Sequence, residues 1–238
     1  MPNKFTFRSN LKELLDETDI PSGLLHKNLR ELDILNRSTG GHAITLRGMK
    51  QLITNSDKTY QIVDLGCGSG DALKVIADWS RLNNYRVALT GVDMNLDAID
   101  FLKINCAEYP EIKGVTSDYH EYLSKNKYID IVHCSLFCHH LNNDELVRLF
   151  TYFKHYVKKG FIINDLQRHW LSYYSAWFFT RLFNGSVLAK NDGPISVLRS
   201  FKYEELVGLL KKANFESFSI KKVWFFRYLV VVKTRDYV

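Results

Sequence analysis

The chain predicts a parallel, doubly wound α/β sheet, and three observations carry that prediction. From about residue 56 onward, short apolar runs alternate with amphipathic helical patterns. The first apolar run ends in Asp64 and turns through Gly66, Gly68 and Gly70 directly into a helical pattern. Two later runs also end in acids, Asp93 and Asp118. Strands are expected near 60–64, 86–92, 112–117, 128–135 and 159–164, and helices near 71–82, 95–107 and 142–157. Right-handed crossovers between such strands place a ligand over their carboxyl ends.

The elements follow in order. Residues 1–55 are read as a helical extension: Leu11 to Leu35 has apolar residues at helical spacing and is expected to pack across the ligand mouth. It ends in an expected loop, Asn36-Arg37-Ser38-Thr39-Gly40-Gly41-His42, in which Arg37 suits bidentate binding of a carboxylate. The rest, 56–238, reads as one domain. Tyr60-Gln61-Ile62-Val63 is a buried strand, and Asp71-Ala72-Leu73-Lys74-Val75-Ile76-Ala77 opens the next helix. Glycine at the hand-over lets the backbone take strained angles and lets a ligand approach the main chain. A dinucleotide fingerprint, G-x-G-x-x-G, would need its third glycine where Asp71 stands. The third glycine instead comes early, at Gly70, and Asp64 sets negative charge beside the turn. A pyrophosphate is disfavoured there, and a cationic ligand fits.

Arg86 to Asp93 is a second strand whose terminal acid faces ribose hydroxyls by the geometry of such sheets. Gly114 to Tyr119 is a third short strand, ending at Asp118. Taken singly, each acid also reads as a helix cap or turn residue. The fourth strand, Tyr128 to Ser135, runs into Leu136-Phe137-Cys138-His139-His140-Leu141. His139 and His140 read either as packing or cofactor contacts or as a proton acceptor, with His140 the better placed. An aromatic insertion, 166–200, is expected to form a helical lid supplying an apolar pocket; a helix completing the core and an interfacial helix are the alternatives. Within it, His169 reads as a solvated helix start or as a second base, and Asn191 to Ser200 as a tight turn leading into a helix. Ser200 is the expected cap of the helix beginning at Phe201, and Phe215 to Val232 reads as two further strands.

The run Val63-Asp64-Leu65-Gly66-Cys67-Gly68-Ser69-Gly70 resembles the first motif of the class I S-adenosylmethionine-dependent methyltransferases, (V/L)-D-(L/V)-G-C-G-x-G, and the resemblance extends over residues 55–165. It implies a Rossmann-like, seven-stranded sheet closed by an antiparallel hairpin, and S-adenosylmethionine as cofactor. It also implies cofactor contacts from Asp64, Gly66, Cys67, Gly68 and Gly70, from Asp93 and Met94 at the ribose, and from Ser117, Asp118 and Tyr119 at the adenine. Ser135 would stand beside the sulfur, and Arg37 would meet the carboxylate of the cofactor's amino acid. The Asn-Arg-x-x-Gly-Gly loop, the Asp-x-x-Arg-His segment and Asn191 to Ser200 are similar to a bacterial subgroup associated with type III polyketide synthases, which implies a phenolic or polyketide-derived acceptor.

Composition bounds the partners. The net charge of +6 is spread over isolated pairs such as Lys158-Lys159 and Lys211-Lys212, not gathered into one stripe, which argues against nucleic acid. Four cysteines without C-x-x-C spacing fit reduced thiols, so neither disulfide nor metal is expected. The first residues lack the apolar core of a signal peptide, an expectation of a cytoplasmic enzyme. Arg168, His169 and Arg181 bracket too short an apolar span to cross a bilayer. The expected reaction is O-methylation of a hydrophobic small molecule, with C-methylation of a quinone-type acceptor or a non-catalytic, cofactor-binding accessory role as alternatives. Protein or RNA methylation is least favoured, because no Asn-Pro-Pro-Tyr-type motif follows the fourth strand.

Overall fold

A computed structural model describes residues 3–17 and 19–234; Met1 and Pro2 of the N-terminal stretch lie outside them. The strands are β1 Thr59–Leu65, β2 Arg86–Asp93, β3 Ile112–Thr116, β4 Ile129–Ser135, β5 Val157–Leu166, β6 Ser219–Val223 and β7 Arg227–Lys233. They form one seven-stranded sheet in the order β3-β2-β1-β4-β5-β7-β6. The first five are parallel, and β7 lies antiparallel between β5 and β6. This is the Rossmann-like, doubly wound sheet with its closing hairpin. The order reverses between β1 and β4, which opens a crevice at the carboxyl ends of those strands.

The helices are α1 Ser22–Ser38, α2 Gly41–Leu52, α3 Asp71–Leu82, α4 Leu96–Asn105, α5 Tyr119–Lys125, α6 Asn143–Tyr156, α7 Trp170–Leu182, α8 Val187–Arg199 and α9 Tyr203–Lys212. They cover both sheet faces, which is why β4 is buried along nearly its whole length. Its Val132 and Cys134 join a core with Phe150 and Phe153 of α6 and Leu206 of α9, while Ile131 faces Met49 of α2 and Ile76 of α3. Among the described residues, no helix is long and apolar enough to cross a membrane.

Several boundaries differ from the sequence expectation. Leu11 to Asp16 is extended chain ending in a 3-10 turn, Leu14–Asp16, and the first α-helix starts only after Pro21, whose ring sets a helical φ but offers no N–H. The expected loop from Asn36 to His42 is almost entirely helical: α1 runs to Ser38, its last turn tied by Arg37 to Asp33 at 2.8 Å. Only Thr39 and Gly40 break it, Gly40 at φ 76°. The turn expected at Asn191 to Ser200 is instead the body of α8, with Pro194 inside the helix. Tertiary contacts override that local signal: the Asp192 carboxylate accepts the N–H groups of Leu14 and Leu15 at 2.8 and 2.9 Å, and Gly193 lies against Thr180 and Ala176 of α7. The cap of α9 is Lys202, not Ser200; its N–H donates to the Glu205 carboxylate at 2.8 Å.

Candidate active site

The carboxyl ends of β1, β2 and β4 and part of residues 15–36 enclose a cavity of about 640 Å³. Its floor is the turn after β1. Gly66 and Gly68 sit at φ 67° and 50°, a region where a β-carbon strains the chain. A β-carbon on Gly66 would come within 2.5 Å of the Phe137 ring. The turn is pinned to β2, because the N–H groups of Gly66 and Cys67 donate to Val92 O at 2.9 and 3.2 Å. Asp93 then receives the N–H of Gly68 and of Asn95, each at 3.0 Å. Burial pushes the Asp93 carboxyl up, and these two donors oppose the shift without cancelling it.

Eight carboxylates line the cavity, among them Asp16, Asp33, Asp64, Asp93 and Asp118, and no lysine or arginine stands among its described lining residues. Such a field selects for cations and against phosphate. Asp64 is buried, and its Oδ1 meets His133 Nδ1 at 2.7 Å; the far nitrogen of that ring meets Thr45 Oγ1 at 3.0 Å. Asp118 caps α5, accepting the N–H of His120 at 2.8 Å, and borders the cavity as well. The capping and ligand-facing readings of this acid are therefore compatible.

The structure brings together Asp64, Gly66, Cys67, Gly68, Asp93, Met94, Ser117, Asp118, Tyr119, Ser135 and His140 around one cavity. Four expected residues lie elsewhere. Gly70, at φ 79°, caps α3, and a β-carbon there would meet Cys106 Sγ and Leu102 at 2.9 Å; it sets helix packing. Arg37 is half exposed, is paired with Asp33, and does not line the cavity. A carboxylate with its own guanidinium one helical turn away leaves that cation no need of a ligand. His169 caps α7, its Nδ1 accepting the Leu171 N–H at 3.2 Å while its ring stacks on Phe226. His139 is buried beneath the cavity wall. No residue of α7 or α8 lines this cavity; Leu15, Ile20, Leu25 and Leu29 of the N-terminal segment border it instead.

Beside the cavity lies a polar cluster in which Glu13, His139 and Asp165 are buried and His140 and Asp16 reach toward solvent. His140 Nδ1 meets Asp16 Oδ1 at 2.7 Å, and His139 Nδ1 meets Asp165 Oδ1 at 2.7 Å. The two rings lie 4.3 Å apart. Carboxylates only accept, so each Nδ1 is the donor, and in a neutral ring the Nε2 is then the acceptor. Both Nε2 atoms face Glu13, at 3.7 Å from Oε1 and 3.9 Å from Oε2. Glu13 Oε2 accepts from Ser196 Oγ at 2.8 Å, whereas Oε1 has no hydrogen-bond partner. Burial raises the Glu13 carboxyl to about 7, against the pull of His140, Ser196 and Arg199. Burial works in the same direction on Asp16, but hydrogen bonds from His140 and Arg199 hold it well below the usual carboxylate range.

Glu13, His139 and His140 place ligand-capable atoms within 4.8 Å of one another, a spacing a divalent metal could use. The cysteine count did not address this group. Arg199, with Nε 3.7 Å from Glu13 Oε1 and Nη1 on Asp16, already supplies a resident cation there. Sequence reasoning does not join Glu13, Asp16, Asp165 and Arg199 to the two histidines, since no local motif links them; Asp16 and His140 are 124 positions apart.

Glu13 also sets a pH dependence. A carboxyl raised from 4.5 to about 7 binds its proton more tightly in the folded chain. Stability from this group is therefore full below 4.5 and is lost as pH rises through 7, by an amount on the order of 1–3 kcal/mol. Glu13→Gln, which stays neutral, is expected to flatten the decline in denaturant midpoint across that window. Equal slopes in the two proteins would refute it.

Comparison with known proteins agrees with this geometry. Residues 62–160 match the family described as a methyltransferase domain. No curated protein sequence matches the chain. Among solved structures, the plantazolicin methyltransferase BpumL, in complex with a triazolic desmethylPZN analog and S-adenosylhomocysteine, superposes with a TM-score of 0.62 at 20% identity, over 84% of this chain and 73% of that one. Human N-acetylserotonin methyltransferase in complex with S-adenosylmethionine gives 0.61 at 16% identity, over 90% and 56% of the two chains. The CMeT domain of the citrinin polyketide synthase gives 0.58 at 10% identity, over 80% and 50%. The chain thus spans about half the length of the last two, and at these identities the likeness speaks for the fold. Domain match, strand order and glycine turn coincide on the same residues: the stretch 62–160 that matches a methyltransferase domain carries the turn after β1, on a sheet with the Rossmann-like methyltransferase fold. A cationic cofactor with a nucleoside fits a bare main-chain turn surrounded by carboxylates.

Proposed function

We propose that the enzyme methylates the oxygen of a hydrophobic small molecule, a phenol or a related polyketide-derived hydroxyl, with His140 as the base that receives its proton. The observation that carries this reading is an imidazole on the cavity wall whose Nδ1 is held by Asp16 at 2.7 Å. Leu25, Leu29, Phe137 and Leu141 supply apolar walls near it, suited to a ring. When bound, S-adenosylmethionine supplies a methyl carbon on a cationic sulfur. In this reading Gly66, Cys67 and Gly68 present main chain to the cofactor, and Asp93 with Met94 takes the ribose. Ser117, Asp118 and Tyr119 border the adenine, Ser135 stands nearest the sulfur, and Asp64 contributes negative charge. Residues 1–55 act as the cap.

A phenol, with a pKa near 10 by analogy with tyrosine, gains from a base at the moment of attack. His140 takes the proton at Nε2, where Glu13 stabilises the resulting cation, and His139 with Asp165 positions that pair. Orientation supplies the larger share, up to about 7–11 kcal/mol for a well-aligned pair. The structural neighbours handle varied acceptors, as the names N-acetylserotonin methyltransferase and polyketide synthase CMeT domain indicate, so the fold leaves the acceptor to the cavity. The test is incubation with methyl-labelled cofactor and a panel of phenols and quinols. Label on oxygen, with one S-adenosylhomocysteine released per methyl, is expected. Label on carbon would replace this reading, and no transfer despite cofactor binding would indicate an accessory protein.

A further inference from the structure

We propose that the outer face of α7, together with Trp224 at the turn between β6 and β7, docks on the surface of an anionic lipid bilayer. The helix is built inside out. Its small residues face the protein: Ser172 is buried, and Ala176 and Thr180 lie against Gly193 of α8. Its large residues face water, with Trp170 53%, Trp177 45%, Phe178 51% and Phe183, just past its end, 75% exposed. A helix completing a core or lining a pocket has the opposite arrangement. None of these side chains serves the cavity.

The face continues onto the sheet hairpin through ring contacts: Trp170 to His169 at 5.8 Å, His169 to Phe226 at 5.3 Å, and Phe226 to Trp224 at 6.3 Å. Trp224 is 79% exposed, so three of the four tryptophans gather on this one face; the fourth, Trp79, is buried. An exposed apolar patch of this kind marks an interaction surface. Tryptophan and tyrosine suit the headgroup level of a bilayer, with an apolar body and a polar N–H or O–H.

Charge separates a lipid surface from a second copy of the chain. Residues 167–191 contain no Asp or Glu and include Arg168, Arg181 and Lys190. Arg168 is buried on Glu205, but Arg181 lies over the Trp177 ring at 4.5 Å, and Lys4 borders the face over Tyr173 at 3.7 Å. Two such faces brought together oppose like charges, whereas anionic headgroups attract them. With 13 residues, α7 is too short to span and would lie in the interfacial plane.

The full chain is sedimented with vesicles of phosphatidylcholine, with and without phosphatidylglycerol. Binding to the anionic vesicles is expected, with blue-shifted tryptophan emission that brominated acyl chains quench. Trp177→Glu combined with Phe178→Glu should weaken partitioning by at least about tenfold. Unchanged affinity for S-adenosylhomocysteine shows that this variant is folded and separates the result from the reading of the acceptor. Should the variant not fold, quenching of the unaltered chain decides alone. Absence of sedimentation, equal binding by a folded variant, or light scattering showing a dimer that the two substitutions dissociate would each overturn the proposal.

Discussion

Replacing Gly68 by leucine is expected to weaken binding of S-adenosylhomocysteine by at least about a hundredfold, as titration calorimetry would measure, because two penalties coincide. The residue sits at φ 50°, where a side chain strains the backbone by roughly 1–2 kcal/mol. Its β-carbon would also point toward the cavity and come within 3.0 Å of Leu29 Cδ2, on the helix that covers the cofactor mouth. Leu29 can rotate away, so the fold should survive, but any longer substituent then fills the space of the ligand. Relaxing the strain is not free either, since the Gly68 N–H anchors Asp93. A shift of this turn would disturb the acid proposed for the ribose. Gly208→Ala provides the contrast: this glycine, in α9, has open space around its would-be β-carbon and no positive φ, so cofactor affinity should not change. Undiminished affinity in Gly68→Leu would remove the cofactor from this turn and take the site with it.

What the sequence disclosed follows from how local each determinant is. The strands β1 to β5 and their acids were legible because both sheet faces are covered, so each strand is a short apolar run bounded by turn chemistry. The glycine turn was legible because its backbone angles demand glycine at Gly66 and Gly68. Strand order beyond β5 rested on resemblance, since nothing local fixes that β7 inserts beside β5. The acid–base cluster was half visible. His139 and His140 stand in the motif after β4, but Glu13 and Asp16 reach them from an extended N-terminal segment that helical spacing had misassigned. The aromatic insertion misled for a related reason. Composition showed that it was apolar, but only its packing against Gly193 shows that the small side is the inner one. Periodicity reports which residues share a face, and large apolar residues on that face are ordinarily assumed to point inward.

Substituting His140 by glutamine is expected to lower kcat by about a hundredfold to ten-thousandfold, with affinity for S-adenosylhomocysteine nearly preserved. Glutamine retains a polar group on the cavity wall but has no basic lone pair, so binding survives while proton transfer does not. Two companions locate the effect. Asp16→Asn removes the acceptor that fixes the His140 proton on Nδ1, and because Asp16 is held well below the usual carboxylate range it is ionised throughout the working pH range. Its loss should therefore lower kcat and, because its negative charge helps raise the Glu13 carboxyl, move the titration of Glu13 to lower pH. Glu13 behaves differently: raised by burial to about 7, it changes charge within that range and imposes an acid limb on kcat/KM, active when ionised beside the two Nε2 atoms. Glu13→Gln should lower the rate and displace that limb, while His169→Ala, altering only the cap of α7, should leave kcat and the profile alone. If His140→Gln turned over at the rate of the unaltered enzyme, the acceptor would have to arrive already ionised or carry no proton to lose, and the cluster beneath the cavity would be an element of structure alone.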